Sequence, residues 1–143
     1  MSKTSRSVKR LVIAIVLIFV LIVSGGFYAL IYESKKEVSE DERYSKVLNR
    51  AFKLKDVATI RWNATNLRFR NYSLVLNEAS EYDTPDVKSV KVYKSGDPIT
   101  FISAKSYSSL HVGTTYYLIG RDTLNTGEVV EFEYYYTGGV PPF

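Results

Sequence analysis

Hydrophobic positions along this chain fall into three regimes. From Leu11 to Tyr32 there is no Asp, Glu, Lys, Arg or His, and Val, Ile and Leu dominate as far as Val23. The run is apolar on every face, and as a helix it would be about 33 Å long at ~1.5 Å per residue. The hydrocarbon core of a bilayer is about 30 Å thick, so the expected element is a single transmembrane helix. A short chain could hardly cover so long an apolar helix as a buried core element.

From residue 40 to 53 the spacing becomes helical. Tyr44, Val47, Leu48, Ala51 and Phe52 make one stripe, opposite Arg43, Lys46, Asn49, Arg50 and Lys53. Ser39 with Glu42 three residues on has the form of a capping box, so a short amphipathic helix is predicted within a membrane-proximal segment, 33–56. It would pack on the following sheet or serve as a stalk or oligomer contact near the membrane.

From Val57 the period becomes two. Val57–Asn63, Leu67–Leu76, Lys88–Lys94, Ile99–Lys105, Thr114–Gly120 and Glu128–Tyr136 read as strands, separated by Asp83-Thr84-Pro85-Asp86, Ser95-Gly96-Asp97-Pro98 and Asn125-Thr126-Gly127. The predicted fold is therefore mainly β, an antiparallel sandwich or small barrel over 57–137, preceded by the transmembrane and amphipathic helices. Trp62, Phe69, Phe101 and Phe132 are the expected core. In the last strand Val130, Phe132, Tyr134 and Tyr136 should face inward, with Glu131 and Glu133 exposed and able to pair with Arg68 and Arg70. Residues 138–143, with Pro141 and Pro142, read as a flexible tail.

Charge refines the picture. The net charge is +4, and Lys3, Arg6, Lys9 and Arg10 supply all of it; the other 133 residues carry 15 charges of each sign. A nucleic-acid reader needs its basic excess on the folded domain, so nucleic acid is not an expected partner. The same four residues orient the helix: the positive-inside bias places 1–10 in the cytoplasm and the β domain outside. Phe27, Tyr28 and Tyr32 would form an aromatic belt at the outer end. A cleaved signal peptide shares the basic start, the apolar stretch and the small residues Ser24 and Gly26, but apolarity resumes at Phe27 and favours an uncleaved signal anchor.

Candidate chemistry is sparse. The chain has no cysteine, which excludes disulfides, thiolate metal sites and a cysteine nucleophile. His111 is the one histidine, and no nucleophile-elbow glycines surround Ser108 or Ser109. Glu78, Glu81, Asp83 and Asp86 lack the spacing of a calcium loop. No catalytic, metal or cofactor residue is assigned and no cofactor is expected. Asn63 and Asn71 each open an N-x-[ST] sequon.

What remains is recognition. Arg61, Arg68 and Arg70 alternate with Trp62, Phe69 and Tyr72 in an acid-free run, in which Arg68, Arg70 and Tyr72 would share one strand face. Tyr135 and the terminal Phe143 add aromatic surface, and the last strand would lie at a sheet edge open to a partner strand. These residues are the candidate partner contacts. No family resemblance emerges from the motifs. The expected function is non-enzymatic: a single-pass protein, held in the bilayer by Leu11–Tyr32, whose extracytoplasmic domain is a structural or interaction subunit with other membrane or envelope proteins. The alternatives are a tethered ligand-binding or enzymatic domain, or a membrane-perturbing or lysis-control protein.

Overall fold

The computed structural model describes residues 3–77 and 83–137. Glu78 and Glu81 of the acidic cluster lie outside them, as does the 138–143 tail with Phe143. The chain divides into two compact units, Met1–Glu33 with Ser109–Gly113, and Ser34–Ser108 with Thr114–Phe143.

Helix α1 runs from Lys3 to Ile31. No proline interrupts it, and Ser24 donates its hydroxyl to the Val20 carbonyl one turn back at 2.7 Å, so the polar residue in its apolar part is satisfied within the helix. Its stretch from Ser7 to Ile31 is long and apolar enough to cross a membrane, and none of its most apolar window is buried.

The second unit is built on one mixed sheet of eight strands: β1 (Glu33–Glu37), β2 (Ala51–Lys53), β3 (Ala58–Asn63), β4 (Tyr72–Leu76), β5 (Val87–Tyr93), β6 (Pro98–Ser109), β7 (Gly113–Thr123) and β8 (Val129–Tyr136). Their order is β1-β6-β7-β8-β4-β3-β5, with β2 pairing β6 beside that path. β7 and β8 form a long antiparallel ladder from Tyr116↔Tyr136 to Thr123↔Val129. β3 is antiparallel to both β4 and β5. β8 meets β4 in parallel, through Tyr72↔Phe132 and Ser73↔Glu133. The expected antiparallel sandwich or barrel is thus replaced by a single open sheet with a parallel junction. A period-two pattern reports that a strand exists but not which partner it takes, and three strands intervene in sequence between β4 and β8. β8 is consequently interior, not an edge.

Tyr93 on the terminal strand β5 donates its hydroxyl to Asp122 on β7, although β8, β4 and β3 lie between the two in the sheet order. Ile60, Leu74, Phe101, Leu118 and Phe132 belong to one core cluster, and Tyr44, Val47 and Leu54 from the segment between β1 and β3 join it. Phe101 and Phe132 are buried as expected, whereas Trp62 and Phe69 are half-buried near the rim.

The predicted helix over 40–53 does not form. Ser39 accepts a hydrogen bond from the Ala104 amide of β6 at 2.7 Å instead of capping a helix. Asp41 takes the capping role, but only for a 3-10 turn over Glu42–Tyr44. Asn49 then adopts a left-handed φ of 58° while its amide donates to the Phe101 carbonyl at 2.8 Å, and Ala51–Lys53 pairs with Pro98–Thr100 as β2. The long flank of β6 offers backbone partners that compete with a local helical ladder, and of the apolar stripe only Tyr44 and Val47 are buried.

Tyr44 is fully buried, and its hydroxyl has no hydrogen-bond partner among the described residues. Burial pushes that hydroxyl's pKa up. Its ring stacks at a tilt on Tyr116 and Tyr136, with centroids 6.4 and 6.1 Å away. Tyr44→Phe keeps the ring and removes a desolvated polar group, so stability is expected to stay level or rise by about 1 kcal/mol. A urea unfolding midpoint lowered by the change would contradict this account.

Candidate functional site

The arginine–aromatic run does not make one continuous strand. β4 starts only at Tyr72, and residues 67–71 form a loop laid over the outward row of β8. The residue that holds it there is Glu133, which is 4% exposed, against the expectation of a solvated side chain. One carboxylate oxygen accepts from the Arg68 amide at 3.2 Å; the other accepts from the Phe69 and Arg70 amides at 2.7 and 2.9 Å. Three successive N–H groups converging on one anion form a nest, which supplies the partners a buried carboxylate requires. From the opposite side of the loop, the Lys35 ammonium of β1 donates to the Arg68 carbonyl at 2.6 Å.

This clamp sets the side chains. The Arg68 guanidinium lies 4.3 Å from the centre of the Tyr107 ring. Phe69 meets Tyr117 edge-on at 5.5 Å, and the ammonium groups of Lys35 and Lys105 stand 5.7 and 5.8 Å from its ring centre. Tyr117 meets Tyr135 in the same manner at 5.6 Å, and Tyr135 is 52% exposed. An aromatic row from Phe69 to Tyr135, bordered by cations, therefore crosses the face of β7 and β8.

Arg70 turns the other way, towards Glu131. Its Nε donates to that carboxylate at 2.8 Å, while Arg121 binds the other oxygen at 2.7 Å. The expected pairing of Arg70 with Glu131 is present, but Arg70 reaches it from a loop and not from a neighbouring strand. The Arg121 hydrogen bond, opposed by partial burial and reinforced by Arg70, holds Glu131 below the usual carboxylate range. Arg70 and Glu131 line an open groove of about 360 Å³ with Trp62, Tyr72 and Glu128. Tyr72 donates its hydroxyl to Glu128 at 3.5 Å, and burial, with Glu128 adding to it, raises its pKa. Arg61 lies on β3 in register with Ser73 and Ser89, half-buried. The two sequon asparagines are tied into the β3–β4 connection: Asn63 Nδ2 donates to the Asn71 carbonyl at 3.2 Å, and Asn71 Nδ2 returns a bond to the Asn63 carbonyl at 3.4 Å.

A second polar cluster joins Lys91, Tyr93 and Asp122. Lys91 Nζ is 2.5 Å from the Asp122 carboxylate and 3.0 Å from the Thr123 carbonyl. Burial raises the Asp122 pKa, but the bonds from Lys91 and Tyr93 outweigh it and the net direction is down. Burial, with the bond to Asp122, drives the Tyr93 hydroxyl strongly up. Asp122 and Glu131 both have folded-state values below their unfolded ones. Their contribution to stability is complete at neutral pH and disappears as pH falls through the folded values. The urea midpoint should therefore drop below about pH 4, and Asp122→Asn should flatten that dependence. An acid limb equally steep in the variant would remove Asp122 from the account.

His111, Ser108 and Asp122 each have a partner of their own. His111 Nε2 lies 3.2 Å from the Leu30 carbonyl, Ser108 shares a hydrogen bond with Thr114 at 2.9 Å, and Asp122 is held by Lys91 and Tyr93. Among the described residues no group of three His, Asp or Glu side chains is placed to hold a metal ion. In the sequence Glu133 reads as an exposed partner for arginine side chains; its alternation with Phe132 and Tyr134 marks an outward row and carries no sign of burial on backbone amides. No protein family, curated protein or solved structure matches the chain, and the functional reading rests on this geometry.

Proposed function

We propose that the chain is a single-pass membrane protein whose basic N-terminal residues lie in the cytoplasm and whose β domain, on the outer side, is an interaction subunit of a membrane or envelope complex. The observation that carries the reading is α1: an apolar helix whose Ser7–Ile31 stretch has a wholly unburied apolar window, and which leads directly into β1. A bilayer satisfies both its length and its apolar surface. The mechanism is localisation. Anchoring confines the β domain near the membrane and raises its effective concentration for a partner in the same layer.

The partner face favoured by the geometry is the cation-bordered row of Phe69, Tyr117 and Tyr135. Aromatic and arginine side chains are the ones that most often anchor interfaces, and Tyr135 offers a rigid exposed ring on a strand held from both sides. The groove beside Trp62 and Glu128 would serve the second reading, a tethered ligand-binding domain, through its ring surface and its fixed Arg70–Glu131 pair.

Two measurements test the leading reading. Protease added to right-side-out vesicles is expected to remove the β domain and spare the N-terminal residues; a protected β domain overturns the topology. Tyr135→Glu in the full chain, purified in mild detergent, should keep the fold and lose its co-purifying partner. A hot-spot residue contributes at least about 2 kcal/mol, roughly thirtyfold in affinity. Recovery of the same partners at wild-type yield would exclude this face.

A further inference from the structure

The turn between β6 and β7 carries two exposed apolar side chains, Leu110 at 64% and Val112 at 51%. Ser109–Gly113 belongs to the same compact unit as α1, although 81 residues of sequence separate His111 from Leu30. We propose that Leu110-His111-Val112 is a second membrane contact, with both aliphatic side chains entering the interfacial layer of the bilayer beside the end of α1. The inference rests on the reading of α1 as a membrane anchor.

Three observations converge on it. First, His111 Nε2 lies 3.2 Å from the Leu30 carbonyl in the last turn of α1. The final four carbonyls of a helix have no partner within it, and α1 has no basic residue in its last turn. An imidazole N–H donated to Leu30 supplies one missing bond where water is scarce, and it sets the turn at the level at which the apolar helix ends. Second, the turn satisfies its own polar groups inward: the Val112 amide donates to Ser109 Oγ at 3.3 Å, and Gly113, at φ 71°, closes the reversal in a conformation that costs glycine nothing. The apolar side chains are left pointing out. Third, there is no Asp, Glu, Lys or Arg between Lys105 and Arg121. Within the 30 charges that follow α1, no other gap between charged residues is as long. A surface turn in water needs no such gap, whereas a formal charge carried below the headgroups towards the hydrocarbon is costly.

The absence of cysteine makes the test direct, because any introduced cysteine is the sole labelling site. Leu110→Cys, Phe19→Cys and Val92→Cys are each labelled with a nitroxide in the full chain and reconstituted into phosphatidylcholine vesicles. Phe19 lies within α1, and Val92 is a 52%-exposed position on β5. Collision of the label with oxygen, which concentrates in the bilayer, is compared with collision with a nickel chelate confined to water. The expected result is oxygen-dominated relaxation at Phe19, nickel-dominated relaxation at Val92, and at Leu110 a severalfold lower nickel collision rate than at Val92 with raised oxygen collision. If Leu110 matches Val92 while Phe19 is oxygen-dominated, the turn lies in water and the inference falls while the anchor stands. Low collision with both reagents at Leu110 means cover by protein, which also overturns it. A Phe19 label that behaves like Val92 removes the anchor itself, and the second contact with it.

Discussion

Replacing Glu133 by alanine is expected to release residues 67–71 and to destabilise the β domain by several kcal/mol, because three backbone amides lose their acceptor together. The side chain is 4% exposed and accepts from three consecutive backbone amides. Each amide left without a partner costs about 1–3 kcal/mol while it stays dry, and the loop can recover part of this only by lifting into water. Lifting it has its own consequences. Arg68 leaves the Tyr107 ring, Phe69 leaves Tyr117, and the Lys35 bond to the Arg68 carbonyl is lost. Glu133→Gln keeps one acceptor oxygen but replaces the other with a donor facing donors, so its effect should be intermediate. Trypsin gives a local readout, since the bonds after Arg68 and Arg70 lie in the clamped loop. Cleavage there should accelerate in the alanine variant under conditions where the rest of the domain is still folded. An unchanged unfolding midpoint together with unchanged cleavage at both arginines would show that the nest does not hold the loop.

The same residue marks where sequence reading stops. Alternation along β8 correctly separates Phe132 from Glu131 and Glu133, and opposite charges correctly anticipate the Arg70–Glu131 bond. Whether an outward row stays wet depends on what crosses it, and here a loop whose amides lie 63 to 65 residues earlier in the chain covers Glu133 but leaves Tyr135 exposed. β3 and β5 to β8 were legible because each alternates over several residues. β1 and β2 were not: Glu33-Ser34-Lys35-Lys36-Glu37 has no apolar member, and Ala51–Lys53 is three residues long. Both exist because β6 is long enough to take partners along its flank. That requirement also dissolved the predicted helix over 40–53, of whose apolar stripe Tyr44 and Val47 are buried, Leu48 and Phe52 half-buried and Ala51 exposed. α1 was legible from composition alone, since an unbroken apolar run needs no tertiary partner to define it.

The strongest packing constraint in the domain joins Gly120 of β7 to Phe132 of β8. The two are directly paired across the ladder, and the outer end of the Phe132 ring (Cζ, Cε1 and Cε2) occupies the space where any other residue would carry its β-carbon. The ring is fully buried and meets Phe101 of β6 edge-on at 6.1 Å, so it bridges two strands that are not neighbours. Gly120→Ala would drive a methyl group into that ring, which must shift although it is fully buried and packed on Phe101. Overpacking of this kind typically costs about 1–3 kcal/mol, and occasionally more. Phe132→Ala removes the ring and leaves a cavity, a change that costs about 3–5 kcal/mol. The double variant decides whether the two effects share a cause. With the ring gone, the alanine methyl at 120 has room, so the double variant should be more stable than the sum of the single losses predicts, by about 1 kcal/mol or more. Thermal unfolding of the full chain in detergent resolves a coupling of this size, since ~1 kcal/mol corresponds to roughly 4–8 °C in a domain near 100 residues. Strict additivity of the two losses would mean that the glycine serves the β7 backbone alone and that the aromatic contact was misread.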